Sequence, residues 1–233
     1  MLTLSVAACG AARLAYTQAP NLTYWWLDGH VDFTSEQTPL VRDKIDAFFS
    51  WHRSEELPVY SRRLQAWQSM AVRDITPAEA CTEYEAVRER IDAAAERMVS
   101  PMARMGLQLG PDQLENLQRR QAESNETFTK DHLSPTPDKE LDERLTKAVE
   151  RSERLYGTLT PDQRALLRDQ LQRSPWDPKR THAERLRRQA DLLQTLRDAQ
   201  AQPAMAESLV RAHIERIGRS PTPGYAAYSR ALV

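Results

Sequence analysis

Glycine is scarce in this chain, at 7 of 233 residues. A Gly-rich phosphate cradle or a tight catalytic turn has little to be built from. Runs of β-branched residues of strand length are missing, which argues against a sheet. So is any apolar stretch long enough to cross a bilayer as a helix. The two cysteines, Cys9 and Cys81, are too few for a disulfide framework, and a Cys9–Cys81 bridge is the one pairing open to them. Net charge is −1, so no global basic field points to nucleic acid. The zinc-helix pattern HExxH, the nucleophile elbow GxSxG and the pair CxxC do not occur.

Ala, Leu, Arg, Glu and Gln abound instead, and all favour helix. The composition predicts an all-α protein, one domain of seven to nine amphipathic helices. Pro-rich turns punctuate it at Leu133–Pro137, Ser174–Pro178, Gln202-Pro203 and Ser220–Gly224. The expected organisation is a truncated signal peptide over 1–8, an N-terminal anchor segment over 9–32, a helical domain over 33–219 and a C-terminal tail over 220–233.

One pentamer recurs: Phe33–Gln37, Ile75–Glu79, Leu109–Gln113 and Leu159–Gln163. Each places an apolar residue before Thr or Gly, then Pro or Ser, and ends on Gln or Glu. Thr accepts a hydrogen bond from an orphan N–H at a helix start. Pro suits the first helical position, and Gln or Glu reaches back to complete a capping box. The pattern predicts helix starts at Ser35, Pro77, Pro111 and Pro161, with Thr34, Thr76, Gly110 and Thr160 as N-caps.

Apolar stripes at three- and four-residue spacing follow these starts. One runs Ala80, Tyr84, Val87, Ile91, Ala95, Met98 and Met102, and another Tyr60, Leu64, Trp67 and Ala71. Ala183, Leu186, Ala190 and Leu193 form a third. The helix after Pro111 has a polar centre at Gln121 and Asn125, which reads as a long helix bridging two packed regions. Gly157 ends the helix before Pro161.

The candidates for chemistry are few. Histidines stand at 30, 52, 132, 182 and 213, none in an i, i+4 pair. Asp28-Gly29-His30-Val31-Asp32 alternates metal-capable side chains, but a turn with solvated charges explains it better. His52 lies on an apolar stripe and reads as a hydrogen-bonded core histidine rather than a base. The residues therefore predict no catalytic site, no metal and no cofactor. Thr23-Tyr24-Trp25-Trp26-Leu27 is the densest aromatic cluster. Its two readings are a core anchor, which is favoured, and a membrane-interface belt.

Val6-Ala7-Ala8-Cys9 is similar to a bacterial lipobox, an aliphatic and two small residues before the Cys that takes the lipid. No Lys or Arg precedes Cys9. The alternative is a buried Cys in an apolar helical turn. Three further stretches point the same way as the lipobox: Tyr16 through Trp26, Trp51-His52-Arg53 with Glu56-Leu57-Pro58-Val59-Tyr60, and Glu153 through Gln163. Together the four resemble a family of proteobacterial lipoproteins of unknown function, over residues 9 to 200. More loosely, the pentamers resemble the LTxxQ motifs of Spy-like periplasmic chaperones. Leu159–Gln163 matches that motif in full, and the other three depart at one or two positions.

The resemblance implies lipidation at Cys9 and, with Gly10 rather than Asp following, the outer membrane facing the periplasm. The expected partners are the membrane, through Cys9, and other polypeptides, with no nucleic acid. The function expected is a non-catalytic helical binding module of chaperone or stress-response type. The alternatives are a scaffold of an envelope complex and a hydrolase or metal-dependent enzyme built on His30 or His52.

Overall fold

A computed structural model describes residues 3–133 and 136–232, with the side chains of 3–12, 14 and 155 outside the described set. The protein is all-α. The helices are α1 (Thr3–Val31), α2 (Gln37–Trp51), α3 (Leu57–Met70), α4 (Pro77–Gly106), α5 (Pro111–His132), α6 (Pro137–Tyr156), α7 (Pro161–Arg173), α8 (Pro178–Ala201), α9 (Ala206–Gly218) and α10 (Tyr225–Ala231). A π turn, His52–Glu56, joins α2 to α3 without a break, so the ten segments make nine rods among the described residues.

Packing divides the chain into two compact units, Met1–Leu117 with Thr195–Ile214 and Gln118–Gln194 with Glu215–Val233. The helical domain expected over 33–219 is made of both, and α5 and α8 each contribute to the two. That is how the polar centre of α5 is accommodated: Asn125, in the second unit, accepts from Arg185 Nε at 2.7 Å and donates to Gln189 Oε1 at 2.7 Å.

The first unit has two apolar clusters. Val99, Ala103, Ala199, Ala206 and Val210 join the ends of α4 and α8 to α9. These side chains are small, and a Cβ added at Gly106 would lie 2.8 Å from Leu196 Cδ2, so the helices approach closely there. Tyr24, Val41 and Ile45 join α1 to α2, with Leu27, Phe33, Phe49 and Met105 around them.

The second unit is held more by polar contacts. Tyr228 of α10, only 7% exposed, accepts from Asp177 N at 3.0 Å and pairs with Thr181 at 3.0 Å. The segment expected as a tail is therefore packed. Trp176 Nε1 donates to Glu140 at 3.0 Å, and His182 stacks on Phe128 with ring centroids 5.5 Å apart. In α8 the expected stripe is displaced: Leu186 is 43% exposed, while Glu184, on a neighbouring face, is 2% exposed. Arginines and a threonine receive that carboxylate, so a charge takes the buried face and the alanines stay outside.

The pentamers account for the starts of α2, α4, α5 and α7. Thr76 Oγ1 accepts from Glu79 N at 3.3 Å, and Glu79 Oε2 accepts from Thr76 N at 2.9 Å. Thr160 and Gln163 make the same exchange at 3.3 and 2.9 Å, and Thr34 and Gln37 at 3.3 and 3.1 Å. Gly110 has no hydroxyl, so only its N–H is served, by Gln113 Oε1 at 3.0 Å. Helix α2 itself begins at Gln37, two residues after the predicted Ser35, because Ser35 and Glu36 form a turn. Thr34→Ala, Thr76→Ala and Thr160→Ala are each expected to cost about 0.5–2 kcal/mol in urea unfolding. No change at Thr160, where the box is complete, would contradict the capping role.

Candidate functional site

The first unit gathers its unusual features around the π turn. There Leu57 N–H bonds back to His52 O, an i→i−5 rung that inserts one extra residue. The insertion turns His52 into an aromatic shell. Tyr16 Oη lies 2.8 Å from His52 Nδ1, and the ring of Tyr60 lies 5.5 Å and that of Phe48 6.0 Å from the imidazole. His52 is thus a hydrogen-bonded, packed histidine. The same turn carries Glu56, 3% exposed. Its Oε1 stands 3.6 Å from Arg90 Nη1, and its Oε2 is buried without a hydrogen-bond partner among the described residues. Burial raises the Tyr60 hydroxyl above its usual value, and the Glu56 charge and hydrogen bond add to the rise. The sequence reading missed Glu56. Its signal was Glu four residues after His52, which regular helix geometry places on the apolar stripe.

Beside the turn, α3 and α4 run antiparallel. Arg63 Nη1 donates to Glu83 at 2.8 Å, and Trp67 Nε1 donates to the same carboxylate at 2.7 Å. Between the helices lies an open groove of about 260 Å³, lined by Tyr60, Leu64, Trp67, Val87 and Ile91 with Arg63 and Arg90. The apolar stripes of α3 and α4 face this groove: Leu64 is 55% and Ile91 58% exposed, and α3 has no buried side chain. Among the described residues only α3 and α4 line this groove, and no third helix covers it.

A second groove, of about 160 Å³, opens between α1, α2 and α4. Three methionines of α4, Met98, Met102 and Met105, form one wall, and Leu27, Phe33 and Ile45 form the other. Lys44 lines its edge and pairs with Asp43 at 2.7 Å. Met102 is 38% exposed.

The other sequence candidates are placed as follows. Asp28 Oδ1 accepts from Phe33 N at 3.0 Å, and Asp32 takes a left-handed φ of 63° that ends α1. His30 Nδ1 donates to Trp26 O at 2.7 Å. The Asp28–Asp32 segment is thus a helix stop. Among the described residues no group of three His, Cys, Asp or Glu side chains converges. Cys81 is free and exposed. Cys9 is placed only as a backbone position in α1, because its side chain lies outside the described set. In the aromatic cluster Tyr24 is 7% exposed and is a core anchor, whereas Trp25 and Trp26 are 60% and 64% exposed. The core reading therefore holds for the tyrosine and not for the tryptophans.

Gln37 and Gln113, the last residues of two pentamers, meet in the first unit. Gln37 Nε2 donates to Gln113 Oε1 at 3.1 Å, and Gln113 Nε2 donates to Gln37 Oε1 at 2.7 Å. Each also donates to backbone two residues before the other's cap, Gln37 to Gln108 O at 2.8 Å and Gln113 to Asp32 O at 2.8 Å. The first and third pentamers are therefore a clamp as well as two caps.

Residues 29–214 match the family of unknown function DUF6279, and the chain belongs to that family. Among curated proteins none matches, and among solved structures none matches. The matched region contains the π turn, Glu56, the α3–α4 groove and the glutamine clamp.

Proposed function

We propose that this protein acts by binding rather than by catalysis. It is an envelope lipoprotein, acylated at Cys9 and facing the periplasm from the outer membrane, that holds apolar segments of partly folded polypeptides. The methionine-walled groove carries this reading. Thioether side chains are unbranched and polarizable, so one surface adapts to many apolar side chains. The likeness of Leu159–Gln163 to the motif of Spy-like chaperones supports the reading by analogy alone. The uncovered α3–α4 stripe favours a second reading, a scaffold that packs this hairpin against a fixed partner.

An aggregation assay separates the two. The full chain, at a stoichiometric ratio to a denatured reference enzyme, is expected to delay aggregation, and Met102→Glu is expected to abolish the delay. No delay by the wild type at any ratio overturns the chaperone reading and leaves the scaffold. The address has its own test. Produced behind a complete signal sequence in a bacterial host, the protein is expected to partition into detergent and to lose this on Cys9→Ser. Unchanged partition would rule out acylation at Cys9.

A further inference from the structure

Two tryptophans on α1 are turned outward by the way this helix is docked. Tyr24 fixes its inner face: the hydroxyl pairs with Thr38 Oγ1 at 3.0 Å, and the Arg42 guanidinium lies 3.7 Å over the ring. Leu22, Trp25, Trp26 and Gly29 then share the outer face at i, i+3, i+4 and i+7. Leu22 is 54% exposed, Trp25 60% and Trp26 64%. A Cβ at Gly29 would meet nothing within 4 Å, so the face stays open to its end. The His30 ring packs on Trp26 at 4.5 Å and holds the indole outward.

The stretch of α1 leading up to this face carries charge of one sign, and Asp28, next to Gly29, is tied to the Phe33 N–H at 3.0 Å. From Met1 to Leu27 there is no Asp or Glu, and the only charged side chain is Arg13, in a chain that is 28% charged. An indole combines an apolar body with one N–H donor and favours the headgroup level of a bilayer. An acid-free, weakly basic segment suits the negative potential of an anionic leaflet.

We propose that the Leu22–Trp25–Trp26 face of α1 seats in the headgroup layer of an anionic lipid bilayer. This rests on the membrane address proposed above but not on acylation itself. It also sets an orientation. Cys9 and Trp25 are about 24 Å apart along the helix axis. If a lipid on Cys9 and the indoles are both held at the surface, α1 lies along the bilayer rather than standing on it.

The test uses the full chain carrying Cys9→Ser, so that no lipid contributes. It is mixed with vesicles of phosphatidylglycerol and phosphatidylcholine, or of phosphatidylcholine alone. Co-flotation and a blue shift of tryptophan emission are expected with the anionic vesicles, weakening at high salt. Trp25→Ser with Trp26→Ser is expected to lower partitioning by about tenfold, while Leu166→Ser, at an exposed apolar residue of α7, leaves it unchanged. No co-flotation and no blue shift overturn the proposal, as does an equal loss from Leu166→Ser. A blue shift with an unfolded polypeptide but not with vesicles overturns it too, and assigns the face to a protein partner. Acylation is judged separately, from the lipid mass on wild-type protein, so the two readings fail independently.

Discussion

Replacing Glu184 with alanine is expected to cost about 3–5 kcal/mol and to lower the urea midpoint of the second unit, read by Trp176 fluorescence. The carboxylate is 2% exposed and fully engaged. Arg187 donates to it through Nε at 3.0 Å and Nη2 at 2.8 Å, Arg188 Nε at 2.9 Å, and Thr222 Oγ1 at 2.8 Å. Removing it takes the carboxylate acceptor from two guanidinium groups and a hydroxyl in a partly buried site, and leaves Arg187 only Arg216 O and Asp191. Burial alone would raise this carboxyl, but the bonds from Arg187, Thr222, Arg188 and Ser220 outweigh it and bring it down to about 2 from 4.5. A group lowered on folding stabilises above its unfolded value and loses that contribution as the pH falls through the folded one. The second unit is therefore expected to lose roughly 3 kcal/mol between about pH 4.5 and pH 2 from this residue. In Glu184→Gln that part of the acid transition disappears. An acid profile unchanged by the substitution would show that the hub contributes nothing.

Gln113→Ala is the counterpart in the first unit, with an expected cost of about 3 kcal/mol in urea unfolding. The amide fills four hydrogen-bond roles at once, two with Gln37 and one each with Gly110 N and Asp32 O. Truncation takes a partner from Gly110 N, Asp32 O and the Gln37 amide, and Gln113 is only 8% exposed, so water does not replace it freely. Gln113→Glu is expected to be nearly as damaging, because a carboxylate has no donor for Asp32 O. Gln37→Ala combined with Gln113→Ala is expected to cost less than the two single losses added, since both remove the same pair. Strict additivity would mean that the amides do not act as a clamp.

The helices and their starts were legible because capping boxes and apolar spacing are local signals. Thr76, Thr160 and Gly157 act where their sequence neighbours place them. What the sequence concealed is non-local. Nothing in two separate pentamers says that Gln37 and Gln113 meet, since their capping role already explains them. Glu184 was overlooked because an apolar stripe ran beside it: Arg187 and Arg188 follow it at i+3 and i+4, but Thr222, which completes its set of donors, comes from a distant segment. The apolar stripes of α3 and α4 were legible, yet spacing reports only that a face is apolar, not whether the same chain covers it. Trp25 and Trp26 illustrate this most plainly: they adjoin Tyr24 in sequence, and helix geometry sends them the other way. Glu56 stood four residues after His52, on the apolar stripe by regular helix spacing, and an acid there reads as solvated until its burial is seen.

The central claim is that the methionine-walled groove receives polypeptide, and methyl-labelled methionine NMR tests it most directly. The full chain is titrated with a permanently unfolded polypeptide while the methionine methyl signals are followed. The account predicts that Met98, Met102 and Met105 shift together and saturate, while Met70 and Met205, which lie outside the groove, stay in place. Unmoved groove methionines, or shifts no larger than those of Met70 and Met205, would contradict it.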